Sequence, residues 1–470
     1  MGVVFQTTVY TSSRENVERR TTLDRFAQMT EKPIKPLICR MAVPTIVTML
    51  ITSVYQLADA YFAGQIGKEA TAAIGVTYSF TAFLQAFSYM LGQGAGNAVA
   101  RLLGARKGEL ADRFGSIAFF TAFFSGCLFA VAGAFFAEPL VVFLGATKTA
   151  APSAMEYLTV LFLGLPFLMC SFVMNNLLRF QGNAFYGMLG IGAGCVLNIL
   201  LDPILMFSCS LGLRGAALAT DLGQLFSFFL LLFLSRKCNP DAIRLKNFRP
   251  TLTLYVEILR GGFPALCRQG LTSVAALTLN WCVKPYGDAA LAAFSIVSRV
   301  TGFAYSALMG FGQGFQPVCG FNYGAGNYRR VREGFAFCVK ASFLGLLLLS
   351  VVMFGYAEPL TALFEREEQE VVRLAVRALR LQCVTLPFVA VTVMTNMLAQ
   401  TMGWAKSATV LSIARQGVFF LPPLLLFAWL GGLSAIYLAQ PVADLLSAVF
   451  ALVLMRKIMH LLSEGRSEGG

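Results

Sequence analysis

Long uninterrupted apolar runs constrain this chain more than any other feature. Stretches of about 20 mostly apolar residues, the length a helix needs to cross a bilayer, lie near 41–62, 72–98, 115–136, 156–177, 185–207, 214–235, 262–283, 290–316, 334–354, 374–398, 408–429 and 433–455. They are continuous rather than alternating over about ten residues, which sets aside a β-barrel. Composition agrees. Of the 470 residues, 57% are hydrophobic and 13% charged, against about 25% charged in a soluble domain. A surface so poor in charge must be covered, and lipid is the cover that fits. The expected fold is an all-α polytopic membrane protein with twelve transmembrane helices.

Basic residues set the expected orientation. With the N-terminus inside, tails and cytosolic loops hold 25 of the 37 Lys and Arg, external loops and the helix starts beside them 8, and the spans 4, namely Arg268, Arg299, Lys340 and Arg415. Acids gather oppositely, with Glu365, Glu367, Glu368 and Glu370 in one external loop. Both termini are thus expected in the cytosol, and the chain in the plasma (inner) membrane. This bias accounts for the net charge of +13 without nucleic acid. Residues 1–36, with Arg14, Arg19, Arg20, Arg25, Lys32 and Lys35, read as a disordered basic tail with no signal-peptide core. The 11 cysteines include no CxxC pair, and His460 is the only histidine. The thiols read as small packing residues, and a Cys/His zinc site is not expected.

The chain repeats itself at an offset close to 220 residues. Pro44 matches Pro264, Thr52-Ser53-Val54 matches Thr272-Ser273-Val274, and Gly92-Gln93-Gly94 matches Gly312-Gln313-Gly314. Gly104-Ala105 pairs with Gly324-Ala325, and Ala137-Glu138-Pro139-Leu140 recurs as Ala357-Glu358-Pro359-Leu360. After a one-residue slip, Asn175 pairs with Asn396. An even number of spans per copy gives both the same orientation, so the pseudo-twofold axis runs along the membrane normal with a cleft between lobes, as in rocking secondary transporters. The expected divisions are a cytosolic tail 1–36, a six-helix lobe 37–235, a cytosolic linker 236–260, a second six-helix lobe 261–457 and a tail 458–470.

These residues resemble the multidrug and toxic compound extrusion (MATE) family. Its pattern is carried by Met41-Ala42-Val43-Pro44 opening the first helix, Asp59-Ala60-Tyr61-Phe62-Ala63-Gly64 closing it, Gly92-Gln93-Gly94-Ala95-Gly96 with Arg101, and Asn198-Ile199-Leu200-Leu201-Asp202-Pro203 in the fifth helix. The resemblance covers almost everything from Pro36 to Lys457. It implies a V of two six-helix lobes that expels drugs using an inward gradient of Na⁺ or H⁺. It also maps a first-lobe cation site onto Asp59, Asn198, Asp202 and Thr220.

The residues support such a site in their own right. Asp59, Asp202, Asp221 and Asp444 fall inside the predicted spans, where an ionised carboxylate costs about 2.5–3.5 kcal/mol even on insertion scales. At about 1.5 Å per residue, Asp59, Asp202 and Thr220 come to one level on three helices of the first lobe. Asn198 and Asp202, four apart, share a helical face. The set makes a hard-oxygen cage for a small cation (Na⁺ as metal ligand set), a pair of acids sharing one proton, or a hydrogen-bonded cluster gluing helices. Asp221 and Asp444 read as cavity or packing residues, as do Asn175 and Arg299. Pro44 and Pro264 are hinge candidates. The second lobe carries no acid at 262–283, 290–316 or 381–398 but does carry Arg268, Arg299 and, in the eleventh span, Arg415; these either bond helices together or select anionic or zwitterionic substrates.

The expected function is cation-coupled antiport of amphipathic organic compounds, with no cofactor beyond Na⁺ or H⁺, lipid and a small amphipathic substrate as partners, and a monomer as working unit. The alternative is a transporter or flippase of another substrate class, such as a metabolite or lipid-linked precursor. Gly104-Ala105-Arg106-Lys107-Gly108 and Asp112-Arg113 are superficially like a major-facilitator loop, but the first- and fifth-helix motifs are not. No span holds a histidine, and no nucleophile–base pair is visible, so an intramembrane enzyme is not expected.

Overall fold

The computed structural model describes residues 26–144, 151–365 and 368–464. Among these the chain forms helices and no strand, the outcome that apolar runs impose where only intrahelical bonds can satisfy the backbone. In chain order the long helices are α1 Ile34–Ile66, α2 Lys68–Gly104, α3 Gly108–Phe135, α4 Ala151–Phe180, α5 Ala184–Ser208, α6 Gly212–Cys238, α7 Leu252–Val283, α8 Asp288–Gly324, α9 Tyr328–Gly355, α10 Gln369–Met402, α11 Ala405–Leu430 and α12 Gly432–Ser463. Short helices Ala137–Phe143 and Ala357–Ala362 occupy the repeated Ala-Glu-Pro-Leu segments.

Ten of the long helices are apolar enough to cross a membrane; α2 and α7 are not among them. The reason is positional. These two pack on each other between the halves of the chain, and polar Gln93, Asn97 and Arg101 on α2 and Glu257, Arg260 and Arg268 on α7 depress their hydropathy. At the other extreme, the apolar windows of α4 and α10 are 72% and 78% buried, which makes these repeat-related helices the axes of their halves. Around α4 lie α2, α3 and α6, with α5 on α6; around α10 lie α8, α9 and α12.

The repeat extends to backbone detail. Gly182 and Gly403, one repeat apart, turn α4 into α5 and α10 into α11 with φ of 87° and 89°, conformations that a side chain would strain. Asn175 on α4 donates to the Gly187 carbonyl at 3.4 Å, and Asn396 on α10 donates to the Ala408 carbonyl at 2.7 Å. Where the halves meet the contacts are reciprocal: Gly104 lies on the Phe321 carbonyl, and Gly324 on that of Arg101. Gly94 abuts Ile258 and Gly262 on α7, while its counterpart Gly314 abuts Ala42 on α1.

These close approaches sit at one end, the end where α1 starts and α12 finishes. There Thr45 donates to the Gly310 carbonyl at 2.6 Å, and Arg101 reaches the Thr401 carbonyl at 2.9 Å and Glu257 at 3.2 Å. Elsewhere along these helices Gly64, Gly75, Gly270 and Gly302 have open space where a side chain would be. Pro44 and Pro264, the hinge candidates, are buried within α1 and α7 at the closed end.

The N-terminal segment departs from the expected disorder. Residues 1–25 lie outside the described region, but 26–30 form a helical turn and α1 begins at Ile34. Phe26 lies under the Arg106 guanidinium at 4.5 Å, Asn322 donates to the Met29 carbonyl at 2.9 Å, and Arg330 to that of Lys32 at 2.6 Å. Met29 is 4% exposed. The segment thus ties both halves together across the closed end, through backbone carbonyls that no side-chain pattern announces. The linker 236–260 is also folded: Ser116 on α3 donates to the Ala242 carbonyl at 3.2 Å, and Asn239 to Asp112 at 3.0 Å. Residues 465–470 of the C-terminal tail, and Glu367 of the acidic loop, fall outside the described residues.

Candidate cation site and central cavity

Close packing of α5 on α6 builds the first-half site. Gly194 on α5 leaves room for Ser227, and Gly223 on α6 lies against Gly194 and Asn198. That approach brings the Asn198 amide to the Thr220 hydroxyl, with Nδ2 donating to Oγ1 at 3.3 Å. One turn along α5 is Asp202, 1% exposed, and α1 presents Asp59 to it closely enough for a side-chain hydrogen bond between the carboxyl groups. Asp59, Asn198, Asp202 and Thr220 are therefore brought together as the sequence suggested.

Two tyrosines that sequence reasoning missed complete the group. Tyr55 lies one turn before Asp59 on α1, with its hydroxyl in hydrogen-bonding reach of that carboxylate. Tyr157 on α4 reaches Thr220 and lies near Asp59 and Asp202. The i, i+4 spacing of Tyr55 and Asp59 was a readable signal, hidden because a Tyr in an apolar span also suits lipid contact. The fifth helix has a further irregularity. Pro203 cannot bond the Ile199 carbonyl, and a π turn follows at Ile204–Ser208, a distortion frequent at functional positions.

The chemistry of the site lies in its unmatched acceptors. Asp59 Oδ1, Asn198 Oδ1 and both carboxylate oxygens of Asp202 are buried without a hydrogen-bond donor. No Lys or Arg is among the groups acting on either acid. A buried acceptor left unpaired costs about 1–3 kcal/mol, more when charged. A proton or a small cation with affinity for hard oxygen removes that cost, so the arrangement suits binding positive charge.

The remaining candidates separate. Asp221 lies against Gly164 on α4, where any side chain would overlap it, and near Tyr157 of this group; it packs α6 on α4. Asp444 on α12 is ion-paired: Arg415 donates to its Oδ1 from Nε and Nη2, both at 3.2 Å, and Gln440 at 3.0 Å. Arg415 thus joins α11 to α12 through a carboxylate rather than a backbone carbonyl. Arg299 is exposed on α8. Asn175 lines a small cavity with Thr45, Tyr89, Arg179 and Gln313. Arg179, which the charge pattern placed among the cytosolic basic residues, is 2% exposed and donates to Gln313 of the other half and to Asn176 at 2.7 Å. Among the described residues no group of three His, Cys, Asp or Glu side chains could hold a metal.

Comparison with known proteins decides the family. The MatE family model matches residues 44–204 and again 264–425. The chain belongs to the MatE family. Its two matched segments open on Pro44 and Pro264, so the family unit is the repeat seen in the sequence. Among MatE relatives, the multidrug export protein MepA of Staphylococcus saprophyticus is 27% identical over 429 residues, covering 91% of this chain and 94% of that protein. A crystal structure of MATE in complex with MaL6 superimposes with a TM-score of 0.88 at 26% identity, covering 93% of this chain and 99% of that one. An outward-facing conformation of a multidrug resistance MATE family transporter of the MOP superfamily gives 0.87 at 26%, covering 93% and 98%. This MatE chain is accordingly a multi-pass membrane transporter.

Proposed function

We propose that the protein is a cation-coupled antiporter that exports amphipathic organic compounds by alternating access, with both termini in the cytosol of a cell whose plasma membrane it spans. The observation that carries this is the set of buried, donor-free oxygens of Asp59, Asn198 and Asp202, in a member of a family whose relatives include multidrug export proteins. The halves of the chain act as lobes. With the terminus-bearing end closed, external Na⁺ or H⁺ reaches the acids of the first lobe. Its charge offsets theirs, and Tyr55, Tyr157 and Thr220 hold the geometry as it binds. Neutralising the cluster shifts the balance between lobe orientations, and the shift is limited by the difference in cation affinity between them. Drug release outward and cation release inward then share one cycle.

Ethidium uptake into inverted vesicles, with a Na⁺ or a proton gradient imposed separately, tests the reading and identifies the ion. Asp59→Asn and Asp202→Asn, expressed at wild-type level, are each expected to cut gradient-driven uptake at least tenfold. Wild-type rates in both variants would remove the assigned role from this site, and no gradient-driven uptake by the wild type would remove the function itself.

A further inference from the structure

A separate cleft in the second half of the chain has the opposite electrical character to the acid group of the first. Arg268 on α7, Tyr305 on α8, Thr392, Val393 and Asn396 on α10, and Leu411, Arg415 and Gln416 on α11 line a partly open cleft. Arg415 has its charge answered by Asp444 at 3.2 Å and its face covered by the Tyr305 ring at 5.0 Å. Arg268 has no such partner. Its one hydrogen bond among the described residues runs from Nη1 to the Asn396 side-chain oxygen at 3.2 Å. That oxygen is held in place, because the Asn396 amide nitrogen donates to the Ala408 carbonyl at 2.7 Å and to Ser412 at 2.9 Å. The guanidinium is therefore oriented but not neutralised.

Its surroundings add acceptors and cations but no second acid. Gln416 Oε1 and Thr392 Oγ1 are buried and unpaired. Tyr89 and Arg179 of the first half act on Arg268 across the cavity, as do Tyr305 and Arg415. Three guanidinium groups thus share this region with one carboxylate, Asp444. The apolar stretches of α7, α8 and α10 at 262–283, 290–316 and 381–398 contain no acid, and the one carboxylate of α12 nearby, Asp444, is bound to Arg415.

We propose that this space is an anion-accepting substrate subsite, in which Arg268 forks onto a carboxylate, sulfonate or phosphate group while the Tyr305 ring, Val393 and Leu411 hold the apolar body. The substrates of this transporter then include amphipathic organic anions, an assignment that rests on the efflux function proposed above. Arginine suits the role because its planar donors match two oxygens at once, which an ammonium does not.

The test is equilibrium binding, read by fluorescence polarisation on the full chain in lipid nanodiscs with no ion gradient. Fluorescein and rhodamine 123 share a xanthene ring system and carry opposite charge. Fluorescein should bind saturably, Arg268→Gln should weaken it at least tenfold while leaving rhodamine 123 within about twofold, and Arg268→Lys should fall between. Should Arg268→Gln not elute as folded protein, Arg268→Lys decides, with at least a threefold loss for fluorescein expected. Saturable rhodamine 123 binding without fluorescein binding, or fluorescein affinity unchanged by either substitution, overturns the subsite and leaves the efflux function standing. If ethidium uptake fails while fluorescein still depends on Arg268, the function falls and the subsite stands.

Discussion

Adding one methyl group where the halves touch should open the closed end measurably. Gly314 on α8 lies against the backbone of Ala42 on α1, so that a Cβ at 314 would overlap the Ala42 main chain rather than a side chain able to rotate away. Overpacking of this kind costs about 1–3 kcal/mol, and the cost is paid only while α1 and α8 stay in contact. Relief on separation therefore multiplies the open population by roughly 5–150. Gly345 on α9 has nothing within 4 Å, so Gly345→Ala serves as the control and gains the usual helix preference of Ala over Gly, about 1 kcal/mol. Hydrogen–deuterium exchange in nanodiscs reads the result. Amides at 38–50 and 308–320 of Gly314→Ala should exchange about five-fold faster or more, while those in the middle of α10, and in Gly345→Ala those at 38–50 and 308–320, show no acceleration. Exchange at 38–50 and 308–320 within twofold of the wild type would refute the claim that backbone contact through glycine seals this end.

Two further substitutions test the packing assignments. Arg415→Met leaves Asp444, with a side chain 6% exposed, facing only Gln440, and should destabilise the protein by about 3–5 kcal/mol in mixed-micelle unfolding; Arg415→Met/Asp444→Leu should recover most of that, and strict additivity of the single effects would show that the pair does not couple. Gly164→Ala should cost about 1–3 kcal/mol by displacing Asp221, and less than half as much in an Asp221→Ala background, unless the two do not touch.

Several features were legible in the sequence because they follow from short-range rules. Helix positions came from apolar length, and the repeat from ordered matches such as Gly92-Gln93-Gly94 with Gly312-Gln313-Gly314. The grouping of Asp59, Asn198, Asp202 and Thr220 came from rise per residue and the i, i+4 face. What escaped depended on contacts between helices distant in the chain. Arg179 sits where a cytosolic loop begins by sequence, yet the approach of α8 buries it against Gln313. Pairing of Arg415 with Asp444 requires knowing which faces of α11 and α12 meet. The segment at 26–33 is held largely through its own carbonyls, and Tyr157 joins the site only because α4 passes beside α6.

Symmetry and asymmetry in this molecule fall on different residues, and the division has a physical reason. The repeat is retained where backbones touch: Gly104 with Gly324 and Gly94 with Gly314 seal the same end by reciprocal contacts, since two similar rigid halves can close on each other only if both keep the room. It is lost at the buried charges of the two sites. Asp59 stands one repeat from Leu279, and Arg268 one repeat from Thr48. A cavity with an acid and an arginine at every equivalent position would neutralise itself through internal ion pairs, leaving nothing for a cation or an anion to do. Placing unpaired acids in one half and an unpaired guanidinium in the other keeps both available. Each is then left to be compensated by what binds beside it, which is what the proposed cation-coupled cycle requires.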